Sequence, residues 1–125
     1  MNIIIKTKKL ELTPSLEHFI NKKVNSLQKF LGVFKHHELP MKKGHALFDT
    51  LIEVGRESKH HRKGDVYKTE IMIALPGKHL FAQATGDDVI KTINEARNEI
   101  EREIRKYKTK TIEFPRRKSK KMRDR

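Results

Sequence analysis

The sequence predicts an α+β fold with its elements in the order β-α-β-β-β-α. Two segments, at residues 14–31 and 87–110, repeat apolar residues at spacings of three and four, which is typical of amphipathic helices. Shorter segments alternate apolar and polar residues, as strands with one buried face do; they span residues 2–8, 48–54, 67–75 and 80–85. One four-stranded mixed sheet with both helices packed on one face would bury both apolar stripes.

The order of the elements also predicts how the strands pair. The helix between the first and second strands provides the long crossover that parallel pairing requires. The later strands follow one another through hairpin connections, among them the tight turn Pro76-Gly77, and are expected to be antiparallel.

The composition describes a small, strongly basic chain. Its 125 residues carry a formal net charge of +13, with a pI near 10.1. This balance indicates an anionic polymer or surface as partner. The chain has no cysteine, which excludes disulfides and thiolate metal sites and fits an intracellular location. No apolar run approaches the roughly 20 residues that span a bilayer, and the N-terminal apolar segment is too short for a signal peptide. We therefore expect a cytoplasmic protein with a nucleic-acid partner and no membrane association.

The first helix has clear start and stop signals. Thr13 can serve as N-cap and Pro14 as the first helical residue. The helix is expected to run to about Leu31, with Gly32 as its C′ residue. Residues 32–46 are then expected to form a long loop.

The second helix carries the main candidate surface. Its apolar stripe lies opposite a basic side, and the sequence Thr85-Gly-Asp-Asp88 matches a capping box. Glu101 and Arg105 form a favourable i,i+4 pair, whereas Arg102 and Lys106 form a like-charge pair. A helix that docks on phosphates would retain such a pair. The stripe consists of Val89, Ile93, Ala96, Ile100, Ile104 and Tyr107.

The domain is expected to span residues 1–112 and to be followed by a basic, disordered tail at residues 113–125. The tail extends the positive charge of the second helix through Arg116, Arg117, Lys118, Lys120, Lys121, Arg123 and Arg125.

Motifs for catalysis and for metal binding are missing from the sequence. The pairs His36-His37 and His60-His61 lack the spacing of metal ligands. Asp87-Asp88 is explained by helix capping, and no phosphate-binding glycine loop or nucleophile elbow is present. We expect no enzyme activity, cofactor, metal or small-molecule substrate. The polar loop at 58–65 could add RNA contacts through Lys59, His60, His61, Arg62 and Lys63.

Three segments, together with the element order, resemble one known family. They are Leu10–Leu16 at the first helix, Val54–Val66 around the basic loop, and Ile100–Lys108 at the end of the second helix. Over roughly residues 1–110 the chain is similar to the ribosome hibernation promoting factor family, also called ribosome-associated inhibitor A or sigma-54 modulation protein. The chain resembles a short form without the C-terminal dimerisation domain.

The resemblance implies a function that composition cannot provide. Members bind the small ribosomal subunit between head and body, occupy the positions of mRNA and of the A- and P-site tRNAs, and preserve idle ribosomes in stationary phase or stress. Basic residues of the two helices contact 16S rRNA. The positions carried over are Lys22 or Lys23, Lys29, Arg102, Lys106, Lys108 and Lys110, to which the basic side of the second helix adds Lys91 and Arg105. Glu99 and Glu103 depart from the Lys and Gln that relatives often have.

Other functions remain open at this point. The layer order also resembles the double-stranded-RNA-binding domain, so a general double-stranded-RNA binder is the alternative. A membrane-surface protein fits less well because the second helix has acidic flanks and no Trp or Phe edge. Away from the ribosome the protein is expected to be a monomer.

Overall fold

The computed structural model describes residues 2–35, 49–57, 64–75 and 77–110, and for residues 33–35 it describes the backbone alone. The strands are β1 (Asn2–Lys8), β2 (Asp49–Glu57), β3 (Val66–Leu75) and β4 (Lys78–Gly86). The helices are α1 (Pro14–Asn25), α2 (Gln28–Lys35) and α3 (Val89–Lys108).

The four strands form one mixed sheet in the order β1-β2-β3-β4, which confirms the predicted fold class. β1 pairs with β2 in parallel, and the two later pairs are antiparallel. Gly77, with φ of +74°, adopts the left-handed conformation that the tight turn between β3 and β4 uses. β2 and β4 are each longer than the alternation alone predicted.

The helices cover one face of the sheet and bury both predicted apolar stripes. α3 contributes Ile93, Ala96, Ile100 and Ile104 to the core, with Val89 and Tyr107 packed at its margin. The remaining core side chains come from α1, the turn after it, α2 and the inward positions of the strands: Ile20, Val24, Leu27, Leu31, Ile52, Val54, Ile71, Ile73, Leu75, Leu80 and Ala82. The opposite face of the sheet is not covered by any element in the described ranges.

The first helix differs from its prediction in one respect. It is divided after Asn25, and the second part begins at Gln28. Ser26 causes the division, because its Oγ donates to the Lys23 carbonyl at 2.5 Å and competes with the helical hydrogen bonds. The expectation of a single helix that runs to about Leu31, with Gly32 as its C′ residue, is therefore wrong, and Gly32 lies inside α2. The predicted start is confirmed: Thr13 Oγ1 accepts a hydrogen bond from the Leu16 amide.

The start of α3 also differs from its prediction. The N-cap is Asp88, whose Oδ1 accepts hydrogen bonds from the amides of Ile90 and Lys91 at 2.9 and 3.3 Å. Thr85 belongs to β4, so the proposed capping box is wrong. One acidic side chain satisfies two amides of the first turn by itself, and its charge also favours the positive end of the helix dipole.

Several expectations fall outside the described residues. These are most of the long loop, at residues 36–46, the basic residues 59–63, both His pairs, and the tail at 113–125. None of the helices in the described ranges is both long enough and apolar enough to cross a bilayer.

Candidate nucleic-acid interface

A groove between α1 and α3 lies on the helical face. It encloses about 460 Å³ and is lined by Lys22, Lys23 and Ser26 from one side and by Asn94, Arg97 and Asn98 from the other. All six side chains can donate hydrogen bonds, and none is a carboxylate. The groove is therefore suited to an anionic ligand with several acceptor oxygens, such as a phosphodiester backbone.

Arg97 connects the two walls of this groove. Its Nε donates to Ser26 Oγ at 3.0 Å, and its Nη1 donates to Glu101 Oε1 at 2.5 Å and to Asn98 Oδ1 at 3.2 Å. Only 14% of the Arg97 side chain is exposed. These bonds hold the guanidinium in place at the floor of the groove, and they tie α3 to the break between α1 and α2.

Phe30 extends the positive region along the seam between α2 and α3. Lys29 Nζ and the guanidinium carbon of Arg105 each lie 5.1 Å from the centre of its ring, and that of Arg97 lies 5.8 Å away. Cations at these distances are attracted to the face of an aromatic ring. A similar contact places Lys23 Nζ 5.5 Å from the Phe19 ring. The structure thus brings Lys29 and Arg105, which are distant in sequence, to one aromatic side chain.

The charges along α3 are more balanced than the sequence suggested. Arg102 pairs with Glu99, and Lys106 Nζ lies 3.5 Å from Glu103 Oε1. The like-charge pair therefore has a carboxylate partner for each cation, and it is not by itself a sign of phosphate docking. These are exposed surface pairs, which contribute at most about 1 kcal/mol each. Exchanging a carboxylate for a phosphate would cost little stability.

The predicted RNA-binding residues occupy three regions of the helical face. Lys22, Lys23, Lys29 and Arg105 lie along the groove and the Phe30 seam. At 100° per residue, Lys91 and Arg102 lie on the side of α3 that points away from the core. Lys106 and Lys110 lie on the far flank of α3, where they line a hollow of about 380 Å³ with Lys78, Leu80, Glu103 and Tyr107. Lys108 is half-buried at the end of α3.

Sequence reasoning missed four of the six residues that line the groove: Ser26, Asn94, Arg97 and Asn98. Asn94 and Arg97 lie on the flank of α3 between the apolar stripe and the exposed side, where polarity alone does not separate a ligand contact from a solvated position. The available signal was spacing: Asn94 and Asn98 are one turn apart, and Arg97 has Glu101 at i+4. Within the described ranges, no three His, Asp or Glu side chains form a group that could hold a metal ion.

The fold and the groove define a small α+β domain with one basic helical face. The chain belongs to the family described as sigma 54 modulation protein / S30EA ribosomal protein, whose model matches residues 3–112.

Two relatives carry similar names. The chain is 25% identical over 115 residues to the ribosome hibernation promoting factor of Acinetobacter guillouiae, an alignment that covers 91% of this chain and 93% of that protein. It is 26% identical over 110 residues to the ribosome hibernation promotion factor of Bacillus subtilis, covering 88% of this chain and 50% of that protein. The chain therefore spans most of the first relative and about half of the second.

Solved structures with the same fold include the N-terminal domain of Thermus thermophilus Protein Y, with a TM-score of 0.63 and 18% identity. That likeness covers 86% of this chain and 99% of the other. A ribosomal subunit interface protein from Coxiella burnetii has a TM-score of 0.59 and 19% identity, covering 87% and 99%. At these identities the likeness establishes the fold.

Proposed function

We propose that this protein is a ribosome hibernation factor that binds the small ribosomal subunit through its helical face. On this proposal it contacts 16S rRNA between the head and the body and occludes the positions of mRNA and of the A- and P-site tRNAs in idle ribosomes. Membership of the family makes the chain a ribosome-associated factor. The names of both relatives support a role in hibernation.

One observation carries the choice of RNA as the contacting surface. The groove between α1 and α3 presents Lys22, Lys23, Asn94 and Asn98, and no carboxylate lines it. Ammonium and amide N–H groups donate to phosphate oxygens, and Arg97 holds the two walls at a set distance. Since these donors stand on helices, little conformational entropy is lost when they bind. A backbone segment of folded RNA fits this arrangement better than a flat anionic surface does.

The proposed inhibition works by occlusion, without chemistry. A bound protein would block one ribosome for as long as it stays in the channel, so inhibition should be stoichiometric. Excess mRNA together with initiator tRNA should relieve it, because they would compete for overlapping positions. In a stressed or stationary cell, such a protein would keep empty ribosomes intact and silent.

The test uses purified subunits. The protein should sediment with small subunits and with whole ribosomes, and preformed initiation complexes should exclude it. A long RNA duplex should compete poorly at equal phosphate concentration. Equal competition by the duplex would instead support a general double-stranded-RNA binder. Sedimentation with large subunits alone, or inhibition far below one protein per ribosome, would contradict the proposal.

A further inference from the structure

The uncovered face of the sheet carries a row of apolar side chains. Ile4, Leu51, Met72 and Phe81 are successive register partners on β1, β2, β3 and β4, so the row crosses the whole sheet. Ile4 is 48% exposed and Phe81 is 51% exposed, at opposite edges, while the two central residues are half-buried. Polar residues would be expected at these alternate positions of a sheet face that remained in water.

The charges around this row differ from those of the rest of the chain. Glu53 and Glu70 are register partners two residues from Leu51 and Met72, and therefore lie on the same face. Asp49 and Glu57 lie on this face of β2 as well. Lys68 Nζ pairs with Glu70 at 2.8 Å, and this carboxylate, with lesser contributions from Glu57 and Glu53, raises the pKa of Lys68. On a protein with a net charge of +13, the described residues of this face carry four carboxylates against three lysines, which are Lys6, Lys8 and Lys68. It is suited to an apolar side chain followed by positive charges.

The end of α3 lies beside the β4 edge of the sheet, on the helical side. Lys110 lines the same hollow as Lys78 and Leu80 at the start of β4, which is an edge strand. Leu80 points into the core, and its neighbour Phe81 lies on the uncovered face. A chain leaving Lys110 therefore has only the edge of β4 to pass. Four extended residues reach about 14 Å, enough to carry the backbone from the end of α3 to the edge strand, where Phe81 is the first apolar side chain of the row.

The segment that follows has the matching chemistry. Phe114 stands four residues after Lys110, and the Arg and Lys residues of the tail begin at Arg116. We propose that the C-terminal segment from Thr111 folds back around the edge of β4 onto the uncovered face of the sheet, with Phe114 against Phe81. The cations that follow then lie beside Glu53 and Glu70.

A second copy of the chain fits this face less well. A stable interface buries roughly 800 Å² on each partner, and four side chains, two of them half-buried, supply only part of that area. Stacking two such faces would also bring carboxylates close to carboxylates, whereas the chain's own tail brings cations. The proposal does not depend on the ribosomal role. It places the tail's charge, in the free protein, on the side away from the helical face.

The chain has no cysteine, so Ser119→Cys provides one position for a nitroxide spin label. In ¹⁵N-labelled protein, the label should broaden the amide signals of residues 71–73 and 80–82 more than those of residues 94–98. Phe114→Ser and Phe81→Ser should each remove the difference. Ile4→Ser, at the other edge of the row, should leave it unchanged and serves as the matched control. Because Phe114 follows the last element of the described fold, α3, its variant remains informative even if the Phe81 variant does not fold.

Three results would overturn the proposal. The first is equal broadening of the sheet and helix amides. The second is broadening centred on the groove. The third is loss of the difference in Ile4→Ser but not in Phe81→Ser. A mixture of spin-labelled ¹⁴N protein with ¹⁵N protein that carries no spin label tests whether the tail of a second copy covers the face. Broadening of the sheet in that mixture, as strong as in the singly labelled sample, would assign the face to another molecule.

Discussion

Arg97 Nε donates a hydrogen bond to Ser26 Oγ at 3.0 Å, which joins α3 to the C-cap residue of α1 across the groove. Ser26 in turn donates to the Lys23 carbonyl. A single hydroxyl therefore both separates α1 from α2 and holds α3 through Arg97. The separation of Lys22 and Lys23 from Asn94 and Asn98 depends on this contact. The position of the groove donors is thus linked to the irregularity of the helix that carries them.

The first prediction concerns this hydroxyl. Ser26→Ala removes a hydrogen bond to a charged, mostly buried guanidinium, so the free energy of unfolding should fall by about 1 kcal/mol or somewhat more. Urea denaturation measures this change in the free energy of unfolding. Ser15→Ala, at an exposed position near the start of α1, is the matched control and should change little. Equal effects of the two substitutions would mean that the Arg97 contact contributes nothing.

The second prediction concerns the groove lysines. Lys22→Ala with Lys23→Ala should weaken binding to small subunits and lower the slope of log affinity against log salt by about 0.7–0.9 per lost phosphate contact. Lys6→Ala with Lys8→Ala removes the same charge from exposed positions of β1 on the uncovered face of the sheet. This control should bind nearly as the parent does. If both pairs weaken binding equally, net charge alone explains the interaction.

The third prediction separates the ordered helix from the tail. Arg102→Ala with Lys106→Ala removes cations that α3 holds in place, so competition with mRNA-channel ligands should be lost at matched occupancy. Truncation after Phe114 removes cations that follow α3 in sequence, and fixing that segment on RNA costs on the order of 1–2 kcal/mol per residue. It should weaken binding and flatten its salt dependence while competition is retained. The opposite pattern across a salt series would assign the site to the tail.

The fourth prediction concerns the start of α3. Asp88→Ala leaves the amides of Ile90 and Lys91 without their carboxylate partner, so stability should fall by about 1 kcal/mol. Asp87→Ala removes the same charge from the neighbouring residue and should cost much less. Thermal and urea unfolding of the two variants provide the comparison. A larger effect at Asp87 would contradict the capping geometry.

The fifth prediction uses the buried threonines. Thr92 Oγ1 donates to the Val89 carbonyl at 2.8 Å, so Thr69 must be the donor in its 3.1 Å contact with Thr92. Thr92→Val leaves a buried donor unpaired and should cost about 1–3 kcal/mol, more than Thr69→Val. Thr50 Oγ1 is buried without a hydrogen-bond partner in the described residues, so Thr50→Val should be neutral or stabilising. Urea unfolding of the three variants tests this order, which would be wrong if Thr50→Val were the most damaging.

The sequence was sufficient for the fold because each segment carries a strong period. The stripe from Val89 to Tyr107 and the alternation in β3 each allow one burial pattern, and the structure has both. The caps were harder to predict. At Thr85–Asp88 the sequence offers two side chains that could begin a helix, and the choice depends on where β4 ends, which is set by its pairing with β3.

The site was less predictable because its geometry comes from tertiary contacts. A serine at position 26 is ordinary in a surface helix, and its effect arises only when Arg97 approaches from α3. The ion pairs of Arg102 and Lys106 could be anticipated from the spacing of Glu99 and Glu103. The division of the cations between the groove and the far flank of α3 depends on which helix lies beside α3.

The parallel pairing of β1 with β2 has a kinetic consequence. β2, β3, β4 and α3 contact neighbours that are close in sequence, whereas β1 meets β2 only after the whole of residues 9–48 has been looped out. Loop closure of this length slows folding. We therefore expect the C-terminal four elements to form the folding nucleus, with β1 added late. During translation, β1 is synthesised first but would be the last strand to join the sheet.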